Sequence, residues 1–478
     1  MSRSQYPISQ TVSPPRPRHP APPGHRLLPA FATFLTLATA CTTHPHPAPW
    51  PKHPNIVILV VETLRADHLR PYGYPRNTMP NLEDLADEGV LFEHATTVAP
   101  WTLPSVVSIL TGLPPSAHGV TTYEDRLSDK VDTLAERLRH AGYHTAFLGV
   151  NSLFESDRNL EQGFDHYFGI DEISSEELNR NILAWLHDRP LDRPVFLYVH
   201  YFDPHCRYAP PEDYNEIYWP VPRSLATGRT MTRQQFNNMH ECFQLHHGPD
   251  EPILDVDYYL AQYDAELRHV DAMIGVFLER LKTAGLYDSS LIFAVGDHGE
   301  EFYDHGGFGH GRVLYEHTTR VPFIVKVPGG GPGGRRVRGH VSTLDIPRTV
   351  LGAVGLDAQA GPFGMDLRPI LGGREVPRNR AVYTETDYEG TVRAVIQGRW
   401  KLIVSVDGKR PGGLFDLSID PGEQHDRSSE DPRTRAALYR LIVARAAEES
   451  EYRRRYPSEQ RPLSDRVLER LKALGYVE

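Results

Sequence analysis

The sequence has little cysteine, with Cys41, Cys206 and Cys242 as the three residues in a chain of 478. At most one intramolecular disulfide can form, so a fold held by a disulfide framework is excluded, and pairing alone does not identify the compartment. Positive charge is not in excess either, because the net charge is −11 with histidine neutral. A basic face for nucleic acid is therefore not indicated, and any binding of an anion must come from a local site.

Long hydrophobic runs are also lacking, which argues against a membrane-spanning helix. The largely apolar stretch from Leu27 to Ala40, 14 residues long, follows an arginine-containing start and ends at Ala38-Thr39-Ala40-Cys41. This pattern is typical of a signal peptide, and the small residues before Cys41 resemble a bacterial lipoprotein site. We expect residues 1–41 to be that signal, residues 42–53 a Pro/His-rich tether, and the protein to be exported, periplasmic or at the cell surface, with a lipid anchor at Cys41 as one form. The alternative is an uncleaved disordered tail.

What is present is an alternation of β-branched strands and amphipathic helices, which favours an α/β fold with a parallel sheet. The predicted strands are residues 55–61, 145–150, 194–200, 290–295 and 323–327, and the predicted helices are 81–89, 133–141, 174–187, 256–284 and 342–354. Residues 208–252 lack periodicity and are expected to form a long insertion. Beyond about residue 374 the pattern changes to short strands (381–384, 391–397 and 401–406) and one helix (432–449), so we expect a catalytic domain at 54–373 and a smaller α+β subdomain at 374–478.

Polar side chains follow three of the predicted strands. Glu62 ends the first strand, the run from His200 to His205 ends another, and Asp297-His298 ends a third. Because open α/β sheets bind ligands at the carboxyl ends of their strands, these groups are expected at one rim. Each also has a structural alternative: Glu62 as a surface carboxylate, and Asp297-His298-Gly299 as a turn.

Thr102 lies at the start of a predicted helix that ends at Gly112. Backbone amides at a helix start favour an anion, so Thr102 is a candidate nucleophile beside a bound oxyanion. The alternative is an ordinary N-cap threonine.

A divalent-metal site is the chemistry that best unites these groups. Two carboxylates, one imidazole and one hydroxyl form a mainly oxygen ligand set, and the predicted metal ligands are Glu62, Thr102, Asp297 and His298. The ligand types do not separate Ca²⁺, Mn²⁺, Mg²⁺ and Zn²⁺. Three further histidines are candidates for binding substrate: His205 and His310, which could hold oxyanion atoms or protonate a leaving group, and His118, for which a structural role is the alternative.

The order of these motifs resembles the sulfatase family of the alkaline-phosphatase superfamily. The residues that carry the resemblance are Pro54-Asn55-Ile56-Val57, Thr102-x-Pro104-Ser105, Leu110-Thr111-Gly112, His200-x-x-Asp203-Pro204-His205, Gly296-Asp297-His298-Gly299-Glu300, Gly309-His310-Gly311, Tyr315-Glu316, Arg320-Val321-Pro322, and near the end Leu414-Phe415-Asp416-Leu417, Asp420-Pro421-Gly422-Glu423 and Leu474-Gly475-Tyr476. The resemblance implies an alkaline-phosphatase-like sandwich, with a large, mostly parallel mixed sheet between helices.

Two departures from the sulfatase pattern change the expected chemistry. Thr102 stands where sulfatases carry the cysteine or serine that becomes formylglycine, and Val106 stands at the arginine position. Threonine cannot form that aldehyde, so no formylglycine is expected. Glu62 replaces the usual aspartate, and Thr63 stands where a second aspartate is common. Threonine at this place resembles instead the phosphodiesterases and the phosphoglycerol and phosphoethanolamine transferases of the superfamily.

We therefore expect an exported, metal-dependent ester hydrolase with Thr102 as the nucleophile, acting on a small-molecule, glycan or lipid-headgroup ester. Phosphate esters are favoured over sulfate esters on chemical grounds. Two alternatives remain: a phosphoryl transferase of the phosphoglycerol or phosphoethanolamine type, and a catalytically inactive binding homologue.

Overall fold

The structure, a computed structural model, describes residues 50–457 except 156–157, 171–172, 249–250, 332 and 358–360, together with residues 459–460, 462, 468–469 and 472–473. The expected signal at 1–41, with Cys41, lies outside the described residues. Most of the tether, residues 42–49, and the closing Leu474-Gly475-Tyr476 motif also lie outside the described residues. Along the part of the chain that is described, every helix is too short or too polar to cross a membrane.

The strands vary in length from two to eight residues. In chain order they are β1 (Asn55–Val61), β2 (Val90–Thr96), β3 (Asp125–Arg126), β4 (His144–Val150), β5 (His166–Ile170), β6 (Val195–Tyr201), β7 (His246–Gly248), β8 (Glu251–Pro252), β9 (Ser290–Gly296), β10 (Glu301–Phe302), β11 (Phe308–Gly309), β12 (Arg320–Val321), β13 (Phe323–Lys326), β14 (Arg335–Ser342), β15 (Ala381–Thr386), β16 (Val392–Gln397), β17 (Trp400–Ser405), β18 (Gly413–Asp416) and β19 (Glu459–Gln460).

Two of the helices are long, with 28 and 24 residues. In chain order the helices are α1 (Pro80–Glu88), α2 (Thr102–Thr111), α3 (Pro115–His118), α4 (Leu134–His140), α5 (Ser175–Asp188), α6 (Glu212–Asn215), α7 (Arg233–Asn237), α8 (Val256–Thr283), α9 (Glu316–Thr319), α10 (Asp345–Ala353), α11 (Arg368–Leu371) and α12 (Pro432–Arg455).

A large mixed sheet forms the centre of the fold, in the order β12-β2-β13-β9-β1-β6-β4-β5, with β14 paired to the outer side of β2. Pairing is parallel between β1 and both its neighbours, between β4 and both of its neighbours, and between β2 and β14, whereas β12 and β13 run antiparallel to their partners. This confirms the predicted α/β fold with a mostly parallel mixed sheet.

Helices cover both faces of this sheet. Alternate side chains of β1 enter two separate cores: Ile56, Ile58 and Val60 pack on the side of α2, α4 and α10, and the intervening residues pack on the side of α1, α5 and α8. A strand that is buried on both faces needs a continuous apolar sequence, which is why β1 reads Ile-Val-Ile-Leu-Val-Val without alternation.

The C-terminal part contains a four-stranded antiparallel sheet in the order β15-β16-β17-β18. Helix α12 packs Leu438 and Ile442 against Val395, Leu402 and Leu414 of that sheet. This confirms the expected C-terminal subdomain, while the boundary at residue 373 stays a prediction.

The predicted insertion at 208–252 contains the short helices α6 and α7 and is fastened to the main body. Cys206, directly after the β6 loop, forms a disulfide with Cys242, 36 residues further on. Phe236 and Phe243 of this segment are buried in the core that also contains α8. The segment is therefore packed against the sheet although its sequence has no periodic pattern.

Candidate active site

The carboxyl ends of the central strands bring the first polar groups together. Val61, the last residue of β1, pairs with Tyr201 of β6 and with Gly296 of β9. The next residue along the chain is therefore Glu62 on one strand and Asp297 on its neighbour, and both are fully buried. Two carboxylates meet here because the parallel register places both strand ends at the same level.

Thr63, the residue after Glu62 at this rim, has an unusual backbone conformation. Its φ is +50°, in the left-handed region that a β-branched residue rarely adopts. The strain is compensated by two contacts: the Thr63 amide donates to Asp297 Oδ1 at 3.1 Å, and its hydroxyl donates to the Pro204 carbonyl at 3.1 Å. Strained residues of this kind concentrate at functional sites, where the surrounding structure fixes them.

Thr102 is the first residue of α2, and its side chain faces the two carboxylates. The N-cap position is Trp101, and no side chain caps this helix. The Thr102 hydroxyl donates to Glu62 Oε1 and lies 3.2 Å from His298 Nε2. The alternative interpretation of Thr102 as an N-cap is therefore wrong.

The start of α2 is fixed to the strand that carries Asp297. The Ser105 hydroxyl donates to the Asp297 carbonyl at 2.8 Å, and the Thr97 hydroxyl donates to the same carbonyl. Because Ser105 lies one helical turn after Thr102, these bonds set the position of the Thr102 hydroxyl relative to the strand ends.

Glu62 is hydrogen-bonded on both oxygens. His200 Nε2 lies 2.7 Å from Oε2, and the Asn151 amide lies 3.2 and 3.3 Å from the two oxygens. Burial raises the pKa of Glu62 to about 7, and the Thr102 hydroxyl opposes that rise. The Thr102 hydroxyl therefore faces a buried carboxylate that is placed to accept its proton.

Asp297 and His298 complete the cluster. Burial raises the pKa of Asp297 well above its usual range, with the charge of Glu62 adding to the effect, and burial holds the pKa of His298 well below its usual range. The protein alone thus leaves two buried carboxyl groups without a matching positive charge.

The donor set fits a divalent cation. One donor atom each from Glu62, Asp297 and His298 lies within 4.8 Å of the others. The second carboxylate oxygen of Asp297, Oδ2, is buried and makes no hydrogen bond, which is costly unless another group binds it. A cation between these atoms would bind this oxygen and compensate the buried negative charge.

His205 and His310 border the cluster on one side. Their rings contact each other edge to face at 5.2 Å, and the ring of His310 lies 4.4 Å from that of His298. His310 Nδ1 lies 2.9 Å from Glu300 Oε1. Burial lowers the pKa of His205 to about 3, so its ring is neutral at physiological pH.

Comparisons with known proteins agree with this geometry. The family model described as Sulfatase matches residues 54–356, and a second, described as N-sulphoglucosamine sulphohydrolase, C-terminal, matches residues 303–443. The first match covers more than half of the chain. The chain belongs to the sulfatase family.

Named relatives of this sulfatase-family chain include an arylsulfatase of Clostridium perfringens, which is 26% identical over 463 residues and covers 83% of this chain and 94% of its own length. An ulvan-active sulfatase of Formosa agariphila is 25% identical, covering 79% of this chain and 77% of its own. Among solved structures, a phosphonate monoester hydrolase of Agrobacterium radiobacter has the same fold, with a TM-score of 0.65, 21% identity, and coverage of 86% of this chain and 98% of its own.

Membership of the sulfatase family makes the chain an ester hydrolase, and a divalent metal is typical of the family. The structure brings together six of the seven predicted site residues: Glu62, Thr102, His205, Asp297, His298 and His310. Their individual roles stay predictions.

His118 is placed elsewhere. It ends α3 fully buried, where its Nε2 lies 3.1 Å from the Ser108 hydroxyl and its Nδ1 accepts from the Val120 amide at 3.0 Å. These bonds fix α3 to the middle of α2, away from the end that carries Thr102. The contacts therefore favour the structural role that was the alternative for His118.

Sequence reasoning named His200 and Glu300 in its motifs without giving either a role, and it did not single out Asn151. Asn151 and His200 hold Glu62, and Glu300 holds His310. Asn151 follows β4 directly, so the strand-end rule that identified Glu62 could also have identified it. Glu300 lies in the same motif as Asp297 and His298, but its contact with His310, ten residues further on, is set by tertiary packing.

Proposed function

We propose that this sulfatase-family chain is a metal-dependent hydrolase that cleaves phosphate esters through a covalent intermediate on Thr102. One observation carries the proposal: the Thr102 hydroxyl donates directly to the buried carboxylate of Glu62, at the edge of the Glu62–Asp297–His298 cluster. A hydroxyl that is held against a buried carboxylate beside a cation site is arranged for deprotonation and attack.

In the first half-reaction, Thr102 Oγ1 forms a bond to phosphorus while its proton passes to Glu62. The bond between phosphorus and the leaving oxygen breaks, and His310, held at Nδ1 by Glu300, supplies a proton to that oxygen. In the second half-reaction, water attacks phosphorus and passes a proton to His310, the bond to Thr102 breaks, and Thr102 regains its proton from Glu62. The net change is ester plus water to acid plus alcohol.

Glu62, Asp297 and His298, with the Thr102 hydroxyl, would hold the divalent cation. When bound, such a cation stabilises negative charge on the transferred group and lowers the pKa of a coordinated hydroxyl. The chain itself orients the nucleophile through Ser105, and burial of every residue of α2 keeps that helix in place.

Phosphorus is favoured over sulfur because of the fate of the intermediate. A formylglycine hydrate has a second hydroxyl that expels sulfate, and a threonine ester has none, so release requires direct attack on the central atom. The named phosphonate monoester hydrolase has the same fold, which supports chemistry at phosphorus on this scaffold.

The organic part of the substrate would occupy a cavity of about 670 Å³ that has His310 in its wall. Arg312 and Tyr388 also line it; Arg312 is paired with Glu389 at 3.0 Å and lies over the Tyr388 ring. This mixture of aromatic and paired charged groups suits a polar ring or headgroup. A glycan or lipid-headgroup ester therefore fits the cavity.

We also propose export, with the substrate met outside the cytoplasm. The Cys206–Cys242 disulfide supports this proposal, because structural disulfides persist in oxidising compartments. Fractionation of cells expressing the full chain, with mass analysis of the mature N-terminus, tests it and reveals whether Cys41 is lipidated. Accumulation in the cytoplasm with an intact N-terminus would refute it.

The test of the reaction is metal-supplemented turnover of four matched substrates: an aryl sulfate, a phosphate monoester, a phosphodiester and a phosphonate monoester. We expect turnover of a phosphorus ester that falls about 10³-fold or more in Thr102→Ala. Thr111→Ala is the matched control, since Thr111 is a buried threonine at the far end of α2 that bonds only to its own helix and the following turn. It should keep nearly full activity.

Other results would contradict the proposal. Sulfate turnover that survives Thr102→Ala would indicate direct attack by water. Transfer to an added alcohol in preference to water would identify a transferase, and no turnover by a folded, metal-loaded chain would favour a binding role.

A further inference from the structure

A second group of metal-binding side chains lies outside the cluster that holds Thr102. Glu301 begins β10, His305 lies in the turn between β10 and β11, and His317 lies in α9. One donor atom from each lies within 4.8 Å of the other two. Residues that lie up to 16 positions apart in the sequence therefore come together in space.

Among the described residues, each of the two histidines presents a buried nitrogen that makes no hydrogen bond. His317 Nε2 is buried, makes no hydrogen bond and lies 3.8 Å from Glu301 Oε2, and only 5% of the His317 side chain is exposed. His305 Nδ1 is likewise buried and makes no hydrogen bond. Burying two such nitrogens is costly unless something binds them.

The other nitrogen of His305, Nε2, has two polar neighbours. Nε2 lies 3.2 Å from the Glu423 carbonyl and 3.2 Å from the Gln424 side-chain amide. A bond to the Glu423 carbonyl requires the proton on Nε2 and the lone pair on Nδ1, whereas a bond from the Gln424 amide requires the opposite form. A cation bound at Nδ1 would select the first form. A metal-binding histidine is commonly held in this way, with its remote N–H donated to a backbone carbonyl.

Glu301 is held in a complementary manner. Its Oε1 accepts from the His305 amide at 3.0 Å and from the Gly307 amide at 2.8 Å, which leaves Oε2 for a ligand. A Cβ at Gly307 would lie 2.7 Å from Oε2. Glycine at this position therefore leaves room for the carboxylate and for a ligand beside it.

We propose that Glu301, His305 and His317 form a second metal site, separate from the Thr102 centre, that takes a zinc-type cation. Two imidazole nitrogens and one carboxylate oxygen are a ligand set that zinc favours, with the fourth position left for water or substrate. The Thr102 centre differs in having mainly oxygen ligands.

The position of this site gives it a role. Glu301 and His305 line the same cavity of about 670 Å³ as His310. The segment from Glu301 to Gly309 leads directly into His310, and α9 lies just beyond it. A cation bound by Glu301, His305 and His317 fixes both flanks of the His310 loop and holds one wall of the cavity.

Metal content tests the proposal on the full folded chain. After chelation and dialysis, the protein is titrated with Zn²⁺ alone and the bound metal is counted by mass spectrometry. We expect about two zinc ions per chain, about one in His317→Gln and about one in Asp297→Asn. His425→Gln, which changes an 80% exposed histidine near Glu423, is the matched control and should keep both.

Co²⁺ absorption provides a second, spectroscopic measurement on wild type and the same two site variants. Occupation of the second site gives the intense visible absorption of a four-coordinate nitrogen–oxygen centre, which survives in Asp297→Asn and is lost in His317→Gln. The proposal is overturned if wild type binds a single ion that Asp297→Asn removes, or if His317→Gln keeps the full metal content. Neither readout depends on turnover, so a failure of the Thr102 mechanism would leave this test unchanged.

Discussion

At the scale of single residues, the surroundings of Thr102 differ from those of Thr111, the other threonine of α2. Its hydroxyl bonds to Glu62 and His298, whereas the Thr111 hydroxyl bonds back to the Val107 carbonyl of its own helix. Threonine therefore makes different hydrogen bonds at the two ends of one helix. The difference arises because the strand ends with Glu62 and His298 lie opposite Thr102.

We predict that Glu300 positions His310 through the contact between Glu300 Oε1 and His310 Nδ1, and that loss of this carboxyl group matters most when the leaving group needs a proton. In Glu300→Gln we expect kcat for an alkyl phosphodiester to fall about 10- to 100-fold, because His310 loses its charged partner. A nitrophenyl ester, whose leaving group needs no proton, should be affected far less.

Tyr208→Phe is the control, because it removes the other hydrogen bond to Glu300, at 3.0 Å, and keeps the charge. An equal loss for alkyl and nitrophenyl esters in Glu300→Gln would contradict the positioning role and indicate general disruption.

Protonation of His118 should lower the free energy of unfolding at acidic pH. Burial lowers its pKa to about 3, below the ordinary value of 6.5, so the unfolded chain binds more protons between these two pH values and stability rises with pH across that window. We compare the free energy of unfolding of wild type with that of His118→Gln. The difference between the two should become smaller as the pH falls from about 7 to about 4. Denaturant titration at each pH measures it, and a difference that is independent of pH would refute it.

At the scale of elements, the Cys206–Cys242 disulfide connects the loop after β6 to the insertion. His205 precedes Cys206 directly, so the bridge also restrains a residue of the site. Removing the bridge in Cys206→Ser/Cys242→Ser should lower the free energy of unfolding by about 4 kcal/mol, because the unfolded chain regains the entropy of an open loop.

Chemical denaturation of wild type and the double variant measures this loss, and wild type with reducing agent should follow the variant. Unchanged stability in both cases would show that the packing of Phe236 and Phe243 alone holds the insertion.

The elements that could be predicted from sequence were those with a local signal. The apolar run of β1 and the 3.6-residue spacing along α8 gave bounds that agree with the structure to within one residue. Strands β2, β5 and β14 were not predicted. The pattern of β14 is interrupted by arginine and glycine, and it is a strand because its backbone pairs with β2.

Charge in α8 illustrates the limit of pattern reasoning. From its place along a helix, the sequence predicts Asp264 to belong to a solvated face or to a structural salt bridge. It is fully buried, and it accepts from Arg76 at 2.7 Å and from Tyr74 at 2.5 Å, so the salt bridge is confirmed and the solvated face is wrong. Its partners are about 190 residues away along the chain, where no local pattern could have located them.

At the scale of the whole molecule, the site residues could be predicted because parallel strands end at one rim. Glu62 and Asp297 were found by that rule, and Thr102 by its place at a helix start. The histidine and glutamate cluster of Glu301, His305 and His317 was not predicted, since those residues lie in a two-residue strand, a turn and a short helix. Long-range packing assembles both sites, but only the first has a signal in the sequence.

The central claim is a covalent intermediate on Thr102, and acid quench of the metal-loaded enzyme during turnover of a slow phosphodiester tests it most directly. Peptide mass analysis should find the phosphoryl group on the peptide that contains Thr102, with none in Thr102→Ala and full labelling in Thr111→Ala. Turnover without any adduct, together with solvent oxygen entering the product in a single-turnover reaction of Thr102→Ala, would contradict the account and assign the attack to water.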